Sequence, residues 1–194
     1  VKLSVRSLLT VREAQSLFLI YAIIILFGLS GCQFLIPREQ YTVQKVSDGD
    51  TITVTDTKGA KIHVRFACVD APEIPHSNQE KYTKSRIARN QFNWGIKAQQ
   101  RVQQLIDQEG DRVTLKITDS DRYGRQIGEV RLANGTLIQE VLAREGLALV
   151  YRPYLKNCPS ATAVEQAEAK AKSQRTGVWS DARFVEPWQY RSRK

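Results

Sequence analysis

At 194 residues the chain has room for one domain of ordinary size plus a further segment. Its formal net charge is +9, from 29 basic and 20 acidic residues. That favours polyanionic partners, because neutralising phosphates releases condensed counterions, although a basic surface also serves solubility alone. Three cysteines without paired spacing exclude a cysteine-based metal module, and the absence of internal repeats and low-complexity tracts excludes an array.

The extra segment comes first. Leu17 to Leu29 is an apolar run too short to span a bilayer comfortably, preceded by Lys2, Arg6 and Arg12 against a single acid, Glu13. This is the charged-then-apolar pattern of an export signal. The run ends in Leu29-Ser30-Gly31-Cys32, which resembles the lipobox of bacterial lipoproteins. That resemblance implies acylation of Cys32 as the first mature residue and a lipid-anchored, exported protein of the cell envelope. The alternatives are a plain signal peptide on a secreted protein and a short uncleaved anchor. Residue 1 is Val and Met is absent throughout, as a start codon read literally as Val would produce. Residues 1–31 are therefore expected to be a whole targeting segment, outside the fold. Without them the charge is +7, from 26 basic and 19 acidic residues. Export permits a Cys68–Cys158 disulfide. A buried thiol at Cys68 and an exposed one at Cys158 are the alternative.

Residues 32–40 read as a linker. Tyr41 to Val46, Thr51 to Val54 and Lys61 to Phe66 alternate as half-buried strands, separated by turn chemistry at Asp48-Gly49-Asp50 and at Lys58-Gly59. Pro72 and Pro75 stop the strand pattern. Residues 74–94 read as a long polar loop in which Lys81, Lys84, Arg86 and Arg89 mix with Tyr82, Phe92 and Trp94. Such a loop is either a solvated excursion or the lining of a nucleic-acid channel. A helix is predicted to open at Gly95, with Ile96, Val102, Leu105 and Ile106 on its apolar face. Two strands follow, around Val113–Ile117 and Ile127–Leu132, joined by a turn at Asp119–Gly124. Thr136 is placed to cap a helix over Leu137–Arg144, and Ala161–Ser173 forms a third helix before Gly177 and Trp179. Residues 183–194 read as a basic tail. Five strands with a helix between the third and fourth, and helices after, predict an α+β protein built on a five-stranded OB-type barrel with about three helices. No regular alternation of strand and helix supports a parallel sheet.

Asp50 and Asp70 are candidate metal ligands. Two hard carboxylates with a backbone carbonyl and waters suit Ca²⁺. Turn formation alone is the commoner role of an isolated Asp-Gly-Asp. Glu73 follows Pro72, whose fixed φ holds the carboxylate where it can accept or orient a water proton. Arg65 and Arg125 are candidate phosphate groups, since a guanidinium grips two phosphate oxygens and stays charged. An ordinary salt bridge is the competing account of each. Arg122 is placed to steer a polynucleotide backbone, and Tyr123, Tyr151 and Tyr154 to pack on a base, or simply to sit at the core or rim. His63 and His76 receive no role. No Ser-His-Asp arrangement, glycine-rich phosphate loop or zinc spacing stands out.

Together these pieces resemble the staphylococcal nuclease (thermonuclease) family from about Tyr41 to Ser180. The matching stretches are Val46–Thr51, Val64–Glu73, Asp121–Arg125, Glu145–Ala148 and Gly177–Ser180, in family order. The resemblance implies a nuclease domain over residues 41–182. It also implies a Ca²⁺-dependent endonuclease that cuts DNA and RNA and leaves 3′-phosphate ends. By motif, Asp50 and Asp70 hold Ca²⁺ with the backbone carbonyl of Ala71, which stands where some members have Thr. Arg65, Glu73 and Arg125 are the implied catalytic residues, and Tyr151 and Tyr154 compete to pack the base. A monomer without an obligate protein partner is expected. The rival readings are a catalytically silent nucleic-acid or interaction module on the same barrel, and an envelope lipoprotein whose basic surface grips anionic polymer.

Overall fold

The computed structural model describes residues 39–193. The expected signal segment, Cys32 and nearly all of the linker lie outside the described residues. Among the described residues no helix is long and apolar enough to cross a membrane.

Five strands close into a barrel in the order β1–β2–β3–β6–β5: β1 (Gln40–Val46), β2 (Thr51–Thr55), β3 (Lys61–Phe66), β5 (Arg112–Ser120) and β6 (Gln126–Leu132). All pairs are antiparallel except β3–β6, which runs parallel with Val64 opposite Gln126 and Arg65 opposite Ile127. Register shifts at Val43/Lys45 and Ile117/Asp119 supply the local bends that closure requires. Ile52, Val54, Val64, Phe66, Val113 and Val130 are buried in one core with Val102 and Ile106 of α2 (Arg86–Asp107) and Leu142 of α3 (Ile138–Arg144). Burial of each such side chain contributes roughly 1.5–3 kcal/mol. A two-stranded patch, β4 (Val69–Asp70) with β7 (Leu149–Val150), sits beside the barrel, and α4 (Ala161–Ser173) packs on α3. The expected OB-type α+β architecture and its three main helices are present. Two short helices add to them, α1 (Asn78–Lys81) and α5 (Pro187–Arg191).

The long loop predicted over residues 74–94 is not one. Helix α2 starts at Arg86, nine residues before Gly95, and Ser85 caps it by accepting from the Ala88 N–H. Its buried stripe runs through Ala88, Gln91, Phe92, Gly95, Ala98 and Val102. Apart from Phe92, the stripe is small or polar as far as Ala98, so hydrophobic periodicity misses it. Ile96, expected to be inward, is 37% exposed. Phe92 is buried against Tyr190, and Trp94 donates to Asp181 while Lys97 lies over its ring, so neither aromatic lines an open channel. Thr136 does not cap α3. Leu137 holds that position, with no side-chain cap bond. Residues 187–191 of the expected tail fold as α5, whose Pro187 and Tyr190 are buried.

Gly95 marks where α2 crosses the Pro72–Glu73 backbone. A Cβ there would fall inside van der Waals contact of the Glu73 carbonyl and 2.7 Å from the Pro72 carbonyl oxygen. Alanine is the better helix former by about 1 kcal/mol, so close approach explains the glycine. Gly95→Ala is expected to lower stability by about 1–3 kcal/mol through overpacking against backbone that cannot yield. Urea denaturation reads this directly, and an unchanged midpoint would show that the crossing is looser than described.

Cys68 and Cys158 form a disulfide with their Cα atoms 5.3 Å apart, which settles the two alternatives for these cysteines. The bridge closes a separation of 90 residues and ties the β3–β4 corner to the turn before α4. Cys68 itself has φ +75°, a left-handed conformation costly for a residue with a Cβ. The bridge and the Tyr151 N–H, bonded to the Cys68 carbonyl at 2.9 Å, hold it there. Cys68→Ser with Cys158→Ser is expected to cost about 2–5 kcal/mol. Thermal unfolding of the oxidised protein against the double variant measures this, and equal midpoints would contradict it.

Candidate active site

The site grows from two corners of the barrel. At the β1–β2 turn, Asp48 Oδ1 accepts from the Asp50 N–H at 3.0 Å, and Ser47 N–H donates to the Thr51 carbonyl at 2.9 Å. Gln99 of α2 pins the turn by donating to the Ser47 carbonyl at 2.9 Å. Gly49 lets it sit flush, since a Cβ there would be 2.6 Å from that of Ala98 and 2.8 Å from that of Ala71. The result is a buried Asp50 aimed at the second corner, where the Ala71 N–H donates to its Oδ2 at 2.5 Å.

That second corner carries Asp70, Ala71 and Glu73. Pairing of β4 with β7 fixes Asp70 opposite Leu149, leaving its side chain 1% exposed. The Glu73 N–H donates to Gln91 Oε1 at 3.2 Å, and Gln91 Nε2 donates to the Val185 carbonyl at 2.7 Å. A buried amide thus couples Glu73 to α2 and to the C-terminal segment.

Arg65 on β3 joins the corners. Its Nη1 is paired with Asp50 and its Nη2 donates to Asp70 Oδ1 at 2.6 Å. Burial works against the charge of this guanidinium, and Asp70 and Asp48 favour it; the net effect lowers its pKa from the usual arginine value. Burial likewise raises the Asp48 carboxyl, with Arg65 opposing. Arg125 precedes β6 at Gln126, which pairs with Val64 beside Arg65. It is near enough for its charge to act on both Asp48 and Arg65.

The Asp121–Arg125 turn places Arg125. Asp121 Oδ2 accepts from Arg125 Nε at 2.7 Å, and its Oδ1 accepts the Tyr123 and Arg125 N–H groups at 2.9 and 3.0 Å. Slight burial pushes the Asp121 carboxyl up, but these bonds outweigh it and hold its pKa below the ordinary value.

Asp50, Arg65, Asp70, Ala71 and Glu73 therefore meet at one rim, with Arg125 beside them. A second guanidinium, Arg191 of α5, reaches the same carboxylates and donates to Asp70 and Glu73. Of the remaining predicted residues, Tyr123 lies under the Arg125 guanidinium, 5.8 Å from its ring centroid. Tyr123 is 71% exposed on the β5–β6 turn, under the guanidinium of Arg122. The Tyr151 and Tyr154 rings pack on each other with centroids 5.5 Å apart. Trp188 extends that stack, 5.6 Å from Tyr151. Sequence reasoning passed over Gln91, Trp188 and Arg191, and gave Asp121 a place in a motif but no role. Of the three passed over, only Trp188 carried a signal, as an aromatic after a proline in a basic stretch.

The donor set fits a hard divalent cation. Asp50 and Asp70 are anionic oxygen donors taken almost fully out of water, where a positive partner is required. The guanidiniums of Arg65 and Arg191 stand in for that positive partner. Among the described residues, the three-residue group of ligand type whose donor atoms lie within 4.8 Å of one another is Cys68, Glu129 and Cys158. Its two sulfurs are spent in the disulfide.

The Glu145–Ala148 and Gly177–Ser180 stretches serve the frame. Arg101 of α2 grips Glu145 through two nitrogens at 2.7 and 2.8 Å, and the Val178 N–H donates to the Gly146 carbonyl at 2.9 Å.

Residues 63–181 match the model of the family described as staphylococcal nuclease homologue. A protein of Escherichia coli O157:H7 named an uncharacterized endonuclease is 34% identical over 152 residues, 78% of this chain and 84% of that protein. A micrococcal nuclease of Shigella flexneri is 35% identical over 157 residues, 77% of this chain and 78% of its own length. An uncharacterized endonuclease of Haemophilus influenzae is 34% identical over 179 residues, 91% of this chain and 82% of its own. With the barrel, the motif residues and the family match in agreement, this chain belongs to the staphylococcal nuclease family.

Proposed function

We propose that the protein is a Ca²⁺-dependent endonuclease that hydrolyses phosphodiester bonds of DNA and RNA and leaves 3′-phosphate ends. One observation carries the reading: two nearly inaccessible carboxylates, Asp50 and Asp70, meet at one rim around Arg65, with Glu73 alongside. Family membership and relatives named as endonucleases support it.

Asp50, Asp70 and the Ala71 carbonyl would hold Ca²⁺. Bound there, the ion supplies positive charge beside the scissile phosphate and makes a neighbouring water easier to deprotonate. Glu73, partly exposed, orients that water and accepts its proton. As water oxygen bonds to phosphorus, the bond to the 5′ oxygen breaks. The 5′ oxygen leaves with the bonding pair and takes a proton from solvent, so the products are a 3′-phosphate and a 5′-hydroxyl. Arg65 and Arg125 neutralise charge on the equatorial oxygens of the crowded phosphorane-like state. Asp121 holds Arg125 in readiness. Arg122 and Tyr123 contact the backbone at the turn, and the Tyr151–Tyr154 stack offers a face to a base.

Export and acylation at Cys32 complete the reading, as a nuclease anchored in the cell envelope. The direct test is digestion of plasmid DNA by the purified protein with calcium and then with a chelator. Fragmentation that stops on chelation is the expected result. Binding without cleavage in calcium would identify a silent nucleic-acid module instead.

A further inference from the structure

Helix α5 lies beyond the family-matched span of 63–181, yet it reaches the heart of the site. Three contacts seat it. Tyr190 meets the Phe92 ring edge-on with centroids 6.1 Å apart, Trp188 packs on Tyr151, and Gln91 holds the Val185 carbonyl. So seated, the helix delivers Arg191. Its Nη2 donates to Asp70 Oδ2 at 2.6 Å, and its Nη1 donates to Glu73 Oε1 at 2.7 Å and to Asp70 Oδ1 at 3.2 Å. Arg65 already holds Asp70 Oδ1, so both oxygens of Asp70 are engaged by guanidinium groups.

A divalent cation between Asp50 and Asp70 needs an Asp70 oxygen and repels any guanidinium beside it. Arg65 is the group that stays. It is 18% exposed and sits in a strand flanked by β2 and β6. Arg191 is the group that leaves, being 43% exposed on the last turn of a five-residue helix. We propose that Arg191 is an internal competitor for the divalent cation: it pairs with Asp70 and Glu73 and must surrender Asp70 before the cation binds. The calcium concentration at which the site loads is then set by how firmly α5 is seated. This inference rests on the calcium-dependent reading above. Arg191 acts here as a positioning residue, through the carboxylates and not on the substrate. A guanidinium stays charged at any working pH, so the competition is between permanent cations.

Calcium titration of the full chain by calorimetry tests the idea. Arg191→Gln removes a bidentate, charge-assisted pair and is expected to tighten calcium binding by at least about fivefold. Arg191→Lys, which keeps the charge and loses the fork, is expected to fall between Gln and wild type. Equal or weaker affinity in Arg191→Gln overturns the proposal and leaves the nuclease reading standing if cleavage still needs calcium. Absence of calcium binding in every protein sinks both. Should Arg191→Gln fail to fold, hydrogen exchange of the wild type decides. The amides of residues 188–191 are expected to exchange several-fold faster once calcium is added, and unchanged or slower exchange overturns the proposal.

Discussion

Glu73→Gln is expected to slow phosphodiester cleavage by about 10²–10⁴-fold, the range for loss of a positioned proton acceptor. Its affinity for a noncleavable oligonucleotide is expected to stay within about threefold of wild type. The split follows from the geometry. Glu73 sits at the rim, on a backbone segment fixed by Pro72, by the crossing of α2 at Gly95 and by the bond from its N–H to Gln91. Gln preserves shape and one acceptor oxygen and removes the basicity together with the charge that pairs with Arg191, so a group that handles a proton loses far more turnover than substrate binding. Single-turnover rates with saturating calcium, beside an equilibrium titration, separate the two quantities. Equal loss of binding and turnover would take Glu73 out of the chemical step.

Removal of the Arg65 guanidinium is expected to act twice. Arg65→Gln withdraws the cation that pairs with Asp50 and shares Asp70. Breaking a buried pair from one side typically costs about 3–5 kcal/mol, because the remaining charge is left uncompensated. Calcium bound to those same carboxylates supplies the missing charge, so the stability deficit is expected to shrink as calcium is added. Turnover is not expected to recover. A lost donor to developing charge costs about 10²–10³-fold, and the ion does not replace its place at the phosphate. Thermal unfolding with and without calcium, set against turnover at saturating calcium, shows the dissociation. A midpoint insensitive to the substitution would contradict the burial argument, and one that calcium cannot raise would contradict the shared site.

Legibility in the sequence followed the range of the interactions. The Asp48–Thr51 turn is written locally: Asp48 bonds the Asp50 N–H two residues on, and the motif reads directly, although the close approach that requires Gly49 is to the distant Ala71 and Ala98. The strand over Lys61–Phe66 and the helix over Ala161–Ser173 coincide with their predicted bounds because apolar spacing or helix-forming composition marks them. Helix α2 hid its first nine residues because Phe92 is the one large apolar side chain buried there, and the small Ala88 and polar Gln91 beside it leave no hydrophobic period. Gln91 also escaped notice as a support of Glu73, since its partners are 18 and 94 residues away. Arg191 lies 121 residues from Asp70, and nothing in the composition of a basic C-terminus tells a solvated tail from a helix docked by Tyr190. Asp121 was placed by its motif, but its hold on Arg125 requires the closed turn, where one carboxylate accepts two backbone N–H groups and a guanidinium.

The most direct measurement is a crystal structure of the protein soaked in millimolar calcium chloride. The account predicts one ion bridging the carboxylates of Asp50 and Asp70, with oxygen distances of about 2.3–2.6 Å and the Ala71 carbonyl among its ligands. Calcium bound elsewhere, with Asp50, Arg65 and Asp70 still joined as they are in the metal-free protein, would contradict it.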